Sequence, residues 1–365
     1  IRLEQNYRST QTILQAANGV IAHNFGRLGK ELWTDGESGE PISLYAGYNE
    51  HDEARYIVEQ AEQWLIAGNT RSSVAILYRS NAQSRVLEEA LIRNAIPYRI
   101  YGGQRFYERL EIRNALAYLR LLLNRGDDAA LERVLNTPPR GIGSKSLDTV
   151  RECARNRSIT LWSAIAAVLE EKLLPARALS ALEGFVVLMN ELDSGVDELS
   201  LEELVDHAIR ASGLCLYHKN EKGEKGQARV ENLEELVSAA KQFVAEQGEL
   251  SPPQQFLDRA ALDAGDAQAD EHEDSVQLMT LHSAKGLEFP LVFLAGMEEN
   301  LFPHRMSVEE PGRLEEERRL CYVGITRARE KLVITYAECR RLHGSESYNT
   351  PSRFVREIPA QLLQE

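Results

Sequence analysis

The sequence predicts an α/β domain whose chain is interrupted by an inserted all-helical domain. Three observations predict this fold class: strand-like and helical segments alternate over residues 1–103, helical segments alone fill residues 104–273, and strand-like runs return over residues 274–365. Each α/β part has too few strands for a sheet of its own. We therefore expect one parallel sheet that is built from both ends of the chain.

The first α/β part has the predicted order β-α-β-α-β. Residues 42–46 have a strand-like composition, residues 50–67 carry apolar side chains at helical spacing, and residues 74–78 form a continuous apolar run. Such a run is typical of a strand that a parallel sheet buries on both faces. A helix over residues 82–94 and a short strand over residues 98–101 complete this part.

The inserted part is predicted to consist of amphipathic helices. They are expected at residues 111–123, 128–135, 145–155, 161–171, 176–192, 201–212 and 233–246. The stretch 263–274 follows with six acidic residues and no lysine or arginine, so we expect a solvated linker. In the second α/β part, strands are expected at 276–281, 291–295 and 332–336, and a helix at 313–329.

The composition, with 43% hydrophobic and 27% charged residues, is typical of a globular protein and argues against a wholly disordered chain. No apolar run approaches the ~18 residues of a membrane span, so we expect no membrane contact. Four cysteines without a C-x-x-C pair exclude a disulfide framework, make zinc unexpected and favour a reducing cytosolic location. The net charge of −14 argues against a protein coated with nucleic acid but is compatible with a local basic groove.

The first segment with candidate chemistry is Gln-Asn-Tyr-Arg-Ser at residues 5–9. An aromatic ring beside an arginine can stack on a base and pair with a phosphate. Considered alone, the segment is more simply explained as a surface arginine next to a half-buried tyrosine.

The second segment is Thr-Leu-His-Ser-Ala-Lys-Gly-Leu-Glu at residues 280–288, directly after a buried strand. Loops at the carboxyl ends of parallel strands are where α/β sheets bind ligands. An ordinary turn, with Gly286 as a conformational device and His282 as a solvated side chain, is an equal alternative.

The third segment, residues 315–329, begins with acidic and ends with basic residues, an order that suits the dipole of a helix. A plain helix does not explain why Gly324 and Thr326, both poor helix formers, lie within it.

In this order, the three segments resemble motifs IV, V and VI of the superfamily 1 helicases, in the UvrD/Rep/PcrA group. Further stretches carry the same resemblance, which extends over essentially the whole chain: Trp-Thr-Asp-Gly at 33–36, Ala-Ile-Leu-Tyr-Arg-Ser-Asn at 75–81, Tyr-Gly-Gly at 101–103, Arg-Gly-Ile-Gly at 140–143 and Asn-Leu-Glu-Glu-Leu at 232–236.

Helicases of this group have two RecA-like domains, of the P-loop NTPase type, that hold ATP between them. The resemblance implies that residues 1–103 and 274–365 form the second RecA-like domain, 2A, and that residues 104–273 form its helical insertion, 2B. The sequence contains no G-x-x-x-x-G-K-[ST] loop and no acidic segment of the family type for Mg²⁺. We expect the phosphate-binding loop and the acidic segment in a first RecA-like domain that precedes Ile1. We therefore expect no metal ligands in this chain and no ATPase activity of the chain alone.

For the ATP site, the resemblance implies that Tyr7 stacks on adenine and that Arg8 and Arg327 reach the γ-phosphate. Glu288 is expected at the ribose, and Gly286 in the same nucleotide-binding loop. Gly324 and Thr326 are expected to bring backbone or hydroxyl close to the nucleotide.

For DNA, the resemblance implies two contact regions. The single strand is expected to contact Thr280, His282 and Ser283, with Arg79 nearby, and also His304, Met306 and His343. His343 lies where relatives carry a base-stacking aromatic ring, and imidazole stacks more weakly. Duplex DNA is expected at Arg140, Gly141, Gly143 and Lys145, where a plain tight turn is the alternative.

The function that the resemblance implies is the C-terminal portion of an ATP-dependent 3′-to-5′ DNA helicase of repair. The expected partners are single-stranded DNA, single-strand/duplex junctions, the N-terminal RecA-like motor domain and DNA-repair proteins, in the bacterial cytosol and associated with the nucleoid. Two alternatives stay open: a stand-alone DNA- or partner-binding module without a motor half, and a helicase subunit of a repair nuclease.

Overall fold

The computed structural model describes residues 6, 8–24, 33–265, 273–310, 312–342 and 345–365. The chain divides into two compact units, of which the first comprises residues 1–105 and 266–365 and the second residues 106–265. From the sequence, we place the domain limits at residues 103 and 273, and these limits remain predictions.

The described strands are β1 (Ile42–Gly47), β2 (Val74–Tyr78), β3 (Tyr98–Ile100), β4 (Val276–Thr280), β5 (Phe289–Leu294), β6 (Ala328–Ala337), β7 (Cys339–Leu342), β8 (Ser345–Tyr348) and β9 (Leu363–Gln364). Seven of these described strands form one parallel sheet in the order β3-β4-β2-β5-β6-β1-β9, and β7 and β8 form an antiparallel hairpin. Strands from both ends of the chain are interleaved in this sheet, which confirms the predicted α/β fold class.

The described helices are α1 (Gln11–Ile21), α2 (Glu50–Ile66), α3 (Ser84–Arg93), α4 (Leu110–Leu123), α5 (Asp128–Val134), α6 (Ser144–Arg157), α7 (Leu161–Glu170), α8 (Ala176–Asp193), α9 (Leu201–Ala211), α10 (Leu214–Lys219), α11 (Glu224–Gln242), α12 (Pro252–Gly265), α13 (Arg305–Glu309), α14 (Arg313–Ile325) and α15 (Arg353–Arg356). Helices α4 to α12 make up the second unit around one apolar core.

The sheet of the first unit is covered on both faces, which explains the apolar run in β2. Ala75 and Leu77 point to the face that α1 and α14 cover, whereas Ile76 and Tyr78 point to the face that α2 and α3 cover. Because successive side chains of a strand alternate between the faces, a strand in this position needs apolar residues throughout.

Several predicted boundaries were wrong. The helix predicted at 233–246 begins at Glu224, because Glu231 and Asn232 are buried polar residues that disguise the apolar period, and Asn232 donates to Glu111 at 2.7 Å. The predicted linker 263–274 begins inside α12, and its residues 266–272 lie outside those described. Helices α1, α10, α12, α13 and α15, the β7–β8 hairpin and strand β9 were not predicted.

The helix predicted at 313–329 ends at Ile325 instead. The amide of Phe289 donates to the carbonyl oxygen of Arg327 at 2.9 Å, so the chain already follows β5 at this point. Arg329 consequently lies in strand β6 and not on a helix.

Candidate functional site

Two arginines and a glutamate lie together at the amino-terminal edge of the sheet. Glu288 immediately precedes β5, and Arg327 immediately precedes β6. Arg8 forms an ion pair with Glu288. The hydroxyl of Ser9 donates to the carbonyl oxygen of Ala328 at 2.6 Å, which places the backbone beside Arg8 at the start of β6. The structure therefore brings together three residues that the family resemblance assigns to ATP.

The guanidinium of Arg327 is positioned by backbone and hydroxyl acceptors. Its Nη1 donates to the carbonyl oxygen of Leu287 at 2.8 Å, its Nε to that of Val323 at 3.1 Å, and its Nη2 to Oγ1 of Thr326 at 3.2 Å. Burial lowers the pKa of Arg327, and the positive charge of Arg8 lowers it further. Two cationic groups this close favour an anionic ligand, because the ligand removes their mutual repulsion.

The hydroxyl-rich start of the segment 280–288 lies at the opposite, carboxyl-terminal edge of the sheet. Thr280 ends β4 beside Tyr78 of β2, and its Oγ1 lies 3.1 Å from Oγ of Ser283. A Cβ atom on Gly102 would lie 3.3 Å from the same Ser283 oxygen, so the turn after β3 adjoins this pair. His282 is exposed next to it.

The segment 280–288 thus extends from one edge of the sheet to the other. Gly286 within it has a φ of +88°, and a Cβ atom there would meet no atom within 4 Å. Glycine is therefore favoured at this position by the left-handed conformation and not by a lack of space. The same nine residues connect the predicted DNA contacts at Thr280 with the predicted nucleotide contacts at Glu288.

Arg79 lies one residue after β2 and is engaged by Glu317 of α14. Its Nε donates to both carboxylate oxygens at 3.0 Å, and its Nη2 donates to Oε1 at 2.7 Å. Glu317 also accepts the amide of His304 at 3.0 Å, while the side chain of Met306 is 47% exposed. The predicted DNA contacts Arg79, His304 and Met306 are therefore gathered at the carboxyl-terminal edge, with Arg79 held inside an ion pair.

In the second unit, an open glycine-containing turn precedes α6. A Cβ atom on Gly141 or Gly143 would meet no atom within 4 Å, and the φ of Gly141 is +82°. Lys145 is exposed in the first turn of α6, which contains no acidic residue. Free helix N–H groups and a lysine make this turn suitable for a phosphate backbone.

Arg140 of the same turn points its guanidinium into the unit. Its Nη2 donates to the hydroxyl of Tyr118 at 2.6 Å and to the carbonyl oxygen of Ser212 at 3.0 Å, and Nη1 donates to the carbonyl oxygens of Val134 and Pro138. Burial raises the pKa of Tyr118 to about 12, so its hydroxyl stays protonated. The predicted DNA contact of Arg140 remains a prediction, and its observed contacts stabilise the turn.

Two predicted site residues, Tyr7 and His343, lie outside the described residues. Among the residues that are described, no group of three or more histidine, cysteine, aspartate or glutamate side chains could hold a metal ion. None of the helices in this described part combines the length and the apolar character that crossing a membrane requires.

The sequence interpretation missed Glu317 and the packing role of Gly324. Glu317, Leu320, Cys321 and Gly324 share one buried face of α14, and this helical spacing is the signal that would have identified Glu317. A Cβ atom on Gly324 would lie 2.5 Å from Cδ2 of Leu281, so this glycine permits close packing of α14. Its expected approach to the nucleotide remains a prediction.

Comparison with known proteins agrees with this arrangement. The family model of the UvrD-like helicase C-terminal domain matches residues 1–339 of the sequence. DNA helicase II from Escherichia coli (strain K12) is 59% identical to the chain, in an alignment that covers the whole chain and 51% of the length of this relative. ATP-dependent DNA helicase UvrD1 from Mycobacterium bovis is 45% identical, and the alignment covers 49% of its length. ATP-dependent DNA helicase PcrA from Staphylococcus epidermidis is 43% identical, and the alignment covers 50% of its length.

The chain thus spans about half the length of the curated relatives that it matches. The match covers six of the seven described strands of the sheet, the helical unit and all three segments with candidate chemistry. The chain belongs to the family of UvrD-like helicase C-terminal domains.

Proposed function

We propose that the chain is the C-terminal portion of an ATP-dependent 3′-to-5′ DNA helicase of repair, in the bacterial cytosol. It would supply the second motor domain with its helical insertion. The names of the relatives support ATP-driven helicase action, and the convergence of Arg8 and Arg327 beside Glu288 is the single observation that carries the proposal to this chain.

The arginines at the amino-terminal edge fit the γ-phosphate of ATP. Phosphoryl transfer needs positive charge at the γ-oxygens in the transition state, and an arginine that reaches across a domain cleft supplies it upon closure. Arg327 is already oriented by Leu287 and Val323, whereas Arg8 must exchange Glu288 for the phosphate. Glu288 would then be available to the ribose.

Two further parts of the ATP site are proposed from the family resemblance. Tyr7 would stack on adenine, and Gly286 would give the loop its required conformation. Mg²⁺ would be held by ligands of the N-terminal RecA-like domain, where it would neutralise charge on the phosphates.

The carboxyl-terminal edge would bind single-stranded DNA. The hydroxyl groups of Thr280 and Ser283 can donate hydrogen bonds to the phosphate backbone, and His282, His304 and Met306 lie at the same edge. Contacts of this kind position a strand without reading its sequence, as a translocating motor requires. The turn from Gly141 to Lys145 would contact the duplex ahead of the junction, and His343 would face a base.

The proposal is tested by comparing this chain with the full-length protein that contains it. We expect the full-length protein to hydrolyse ATP with stimulation by single-stranded DNA and to unwind a duplex with a 3′ single-stranded tail. The isolated chain should hydrolyse none above background. Turnover by the isolated chain, or a full-length protein without a motor half, would contradict the proposal and favour a binding module.

A further inference from the structure

The pairing of Arg79 with Glu317 resembles the binding of a phosphate by an arginine. Three hydrogen bonds join the planar guanidinium to both oxygens of the carboxylate. Arginine binds phosphate through the same parallel donors. The side chains are only 16% and 6% exposed, so the pair is shielded from water. Burial alone would raise the pKa of Glu317, but the hydrogen bonds and charge of Arg79 outweigh it and lower the pKa.

Glu317 has further donors, which would keep it satisfied after Arg79 left. The amide of His304 donates to Oε2 at 3.0 Å, and the hydroxyl of Ser307 donates to Oε1 at 3.3 Å. A buried carboxylate that loses all of its partners strongly destabilises the fold. Glu317 would keep the donors of His304 and Ser307, so it can lose Arg79 at a smaller cost.

Glu317 also belongs to the helix that leads to the predicted γ-phosphate arginine. Helix α14 begins at Arg313 and ends at Ile325, two residues before Arg327. Its Gly324 packs so closely on Leu281 that a Cβ atom there would lie 2.5 Å from that side chain. A displacement of α14 would therefore be passed to the start of the segment 280–288.

We propose that the carboxylate of Glu317 binds the guanidinium of Arg79 in the place of a DNA phosphate. Single-stranded DNA must displace Glu317 from Arg79 in order to bind there. Displacement releases α14 at the DNA edge, and the helix carries the change to Arg327 at the nucleotide edge. This inference rests on the proposed function and adds to it a residue that positions others without contacting either ligand.

The test uses the full-length protein with the variants Glu317→Gln, Arg79→Gln and both together. Glutamine keeps the shape of the glutamate but removes its charge. We expect E317Q to bind single-stranded DNA roughly threefold to tenfold more tightly, because less is lost when Arg79 is released. The variant R79Q should bind more weakly, with a log–log salt slope shallower by about 0.7. In the double variant, the tightening should disappear, because no arginine remains to be released.

The matched control is Glu316→Gln, which removes one negative charge from the exposed side of the same helix. It should leave affinity unchanged. The inference is wrong if E317Q binds no more tightly than the wild type, or if it tightens binding equally when combined with R79Q. A wild-type protein that binds no single-stranded DNA would instead contradict the proposed function.

Two further readouts test the link to Arg327. E317Q should raise the ATPase rate without DNA, so that the factor of DNA stimulation falls, and an unchanged factor would contradict the link. Amide hydrogen exchange in the first half of α14 should increase when DNA is added to the wild-type protein. This second measurement needs no variant, and unchanged exchange at saturating DNA would contradict release of the helix.

Discussion

Arg327 donates a hydrogen bond of 2.8 Å from its Nη1 to the carbonyl oxygen of Leu287. This bond ties the arginine that follows α14 to the segment 280–288, which itself begins at the predicted DNA contacts. The two elements that extend between the edges of the sheet therefore meet at the proposed γ-phosphate site. These packed, hydrogen-bonded contacts offer a physical route for the proposed coupling between the two edges.

Replacing Arg327 by alanine in the full-length protein should lower the kcat of ATP hydrolysis roughly 10³-fold, the scale of arginine fingers. Affinity for single-stranded DNA should stay nearly unchanged, because Thr280 and Ser283 lie at the other edge of the sheet. Arg329→Ala is the matched control, since this side chain is 49% exposed and its ion pair to Glu288 is long, at 3.9 Å, and partly exposed. Equal losses in the two variants, measured by steady-state ATPase assays, would show that the assignment of Arg327 is misplaced.

Arg8→Ala should reduce kcat in the same direction as Arg327→Ala. Because both groups act on one γ-phosphate, we expect the double variant to lose less activity than the product of the two single losses. The measurement is a double-mutant cycle on kcat at saturating ATP and DNA. Losses that multiply fully would indicate that the two arginines act independently.

Lys145→Ala should weaken duplex binding and reduce the magnitude of the log–log salt slope by about 0.9, the value for one phosphate contact. Lys172→Ala is the control. Lys172 follows Glu171, which accepts a hydrogen bond from Arg157 at the end of α6, so Lys172 lies at the opposite end of this helix from Lys145. Arg140→Ala should instead lower the melting temperature, since its guanidinium makes four hydrogen bonds within the unit. Duplex affinity is measured by fluorescence anisotropy at several salt concentrations. If Lys145→Ala leaves the salt slope unchanged, the turn has only a structural role.

His218 should make the stability of the chain depend on pH. It is 2% exposed, and burial lowers its pKa, with Arg229 adding to the effect and Glu221 and Glu111 opposing it. Its unfolded pKa is about 6.5, so the unfolded state binds the proton first and the free energy of unfolding falls as pH drops below about 7.

His218→Gln should flatten this dependence in urea unfolding curves recorded between pH 7.5 and 5.5. His51→Gln, at a histidine that is 43% exposed in the other unit, serves as the control and should leave the dependence unchanged. The same pH dependence with and without His218 would assign the effect to other groups.

Arg340→Ala should destabilise the first unit by about 3–5 kcal/mol, the cost of breaking a buried ion pair. Arg340 lies between Glu53 and Glu298, whose side chains are 3% and 0% exposed, and these two carboxylates raise its pKa against the effect of burial. Arg341→Ala removes only a partly exposed pair with Glu346 and should cost far less. Comparable shifts of the denaturation midpoint for both variants would contradict the structural role of Arg340.

The sequence by itself determined the fold class, and the resemblance of its segments to known motifs suggested how the chemistry is grouped. Apolar runs such as residues 74–78 predict strands that are buried on both faces, and the alternation at both ends of the chain predicts one shared sheet. These signals are local, since each depends on the side chains of a few consecutive residues. Arg8, Glu288 and Arg327, in contrast, could be proposed as one site only because their segments resemble known helicase motifs.

Only the tertiary structure decided where α14 ends and what the arginines contact. Strand pairing at Phe289 overrides the helical charge order after Ile325, and a distant acceptor set turns Arg140 inward. Arg79 and Glu317 are separated by 238 positions, and no periodicity in either segment encodes their contact. Such partners are selected when the sheet brings remote segments to one edge, because a buried charge is stable only beside the groups that packing places next to it.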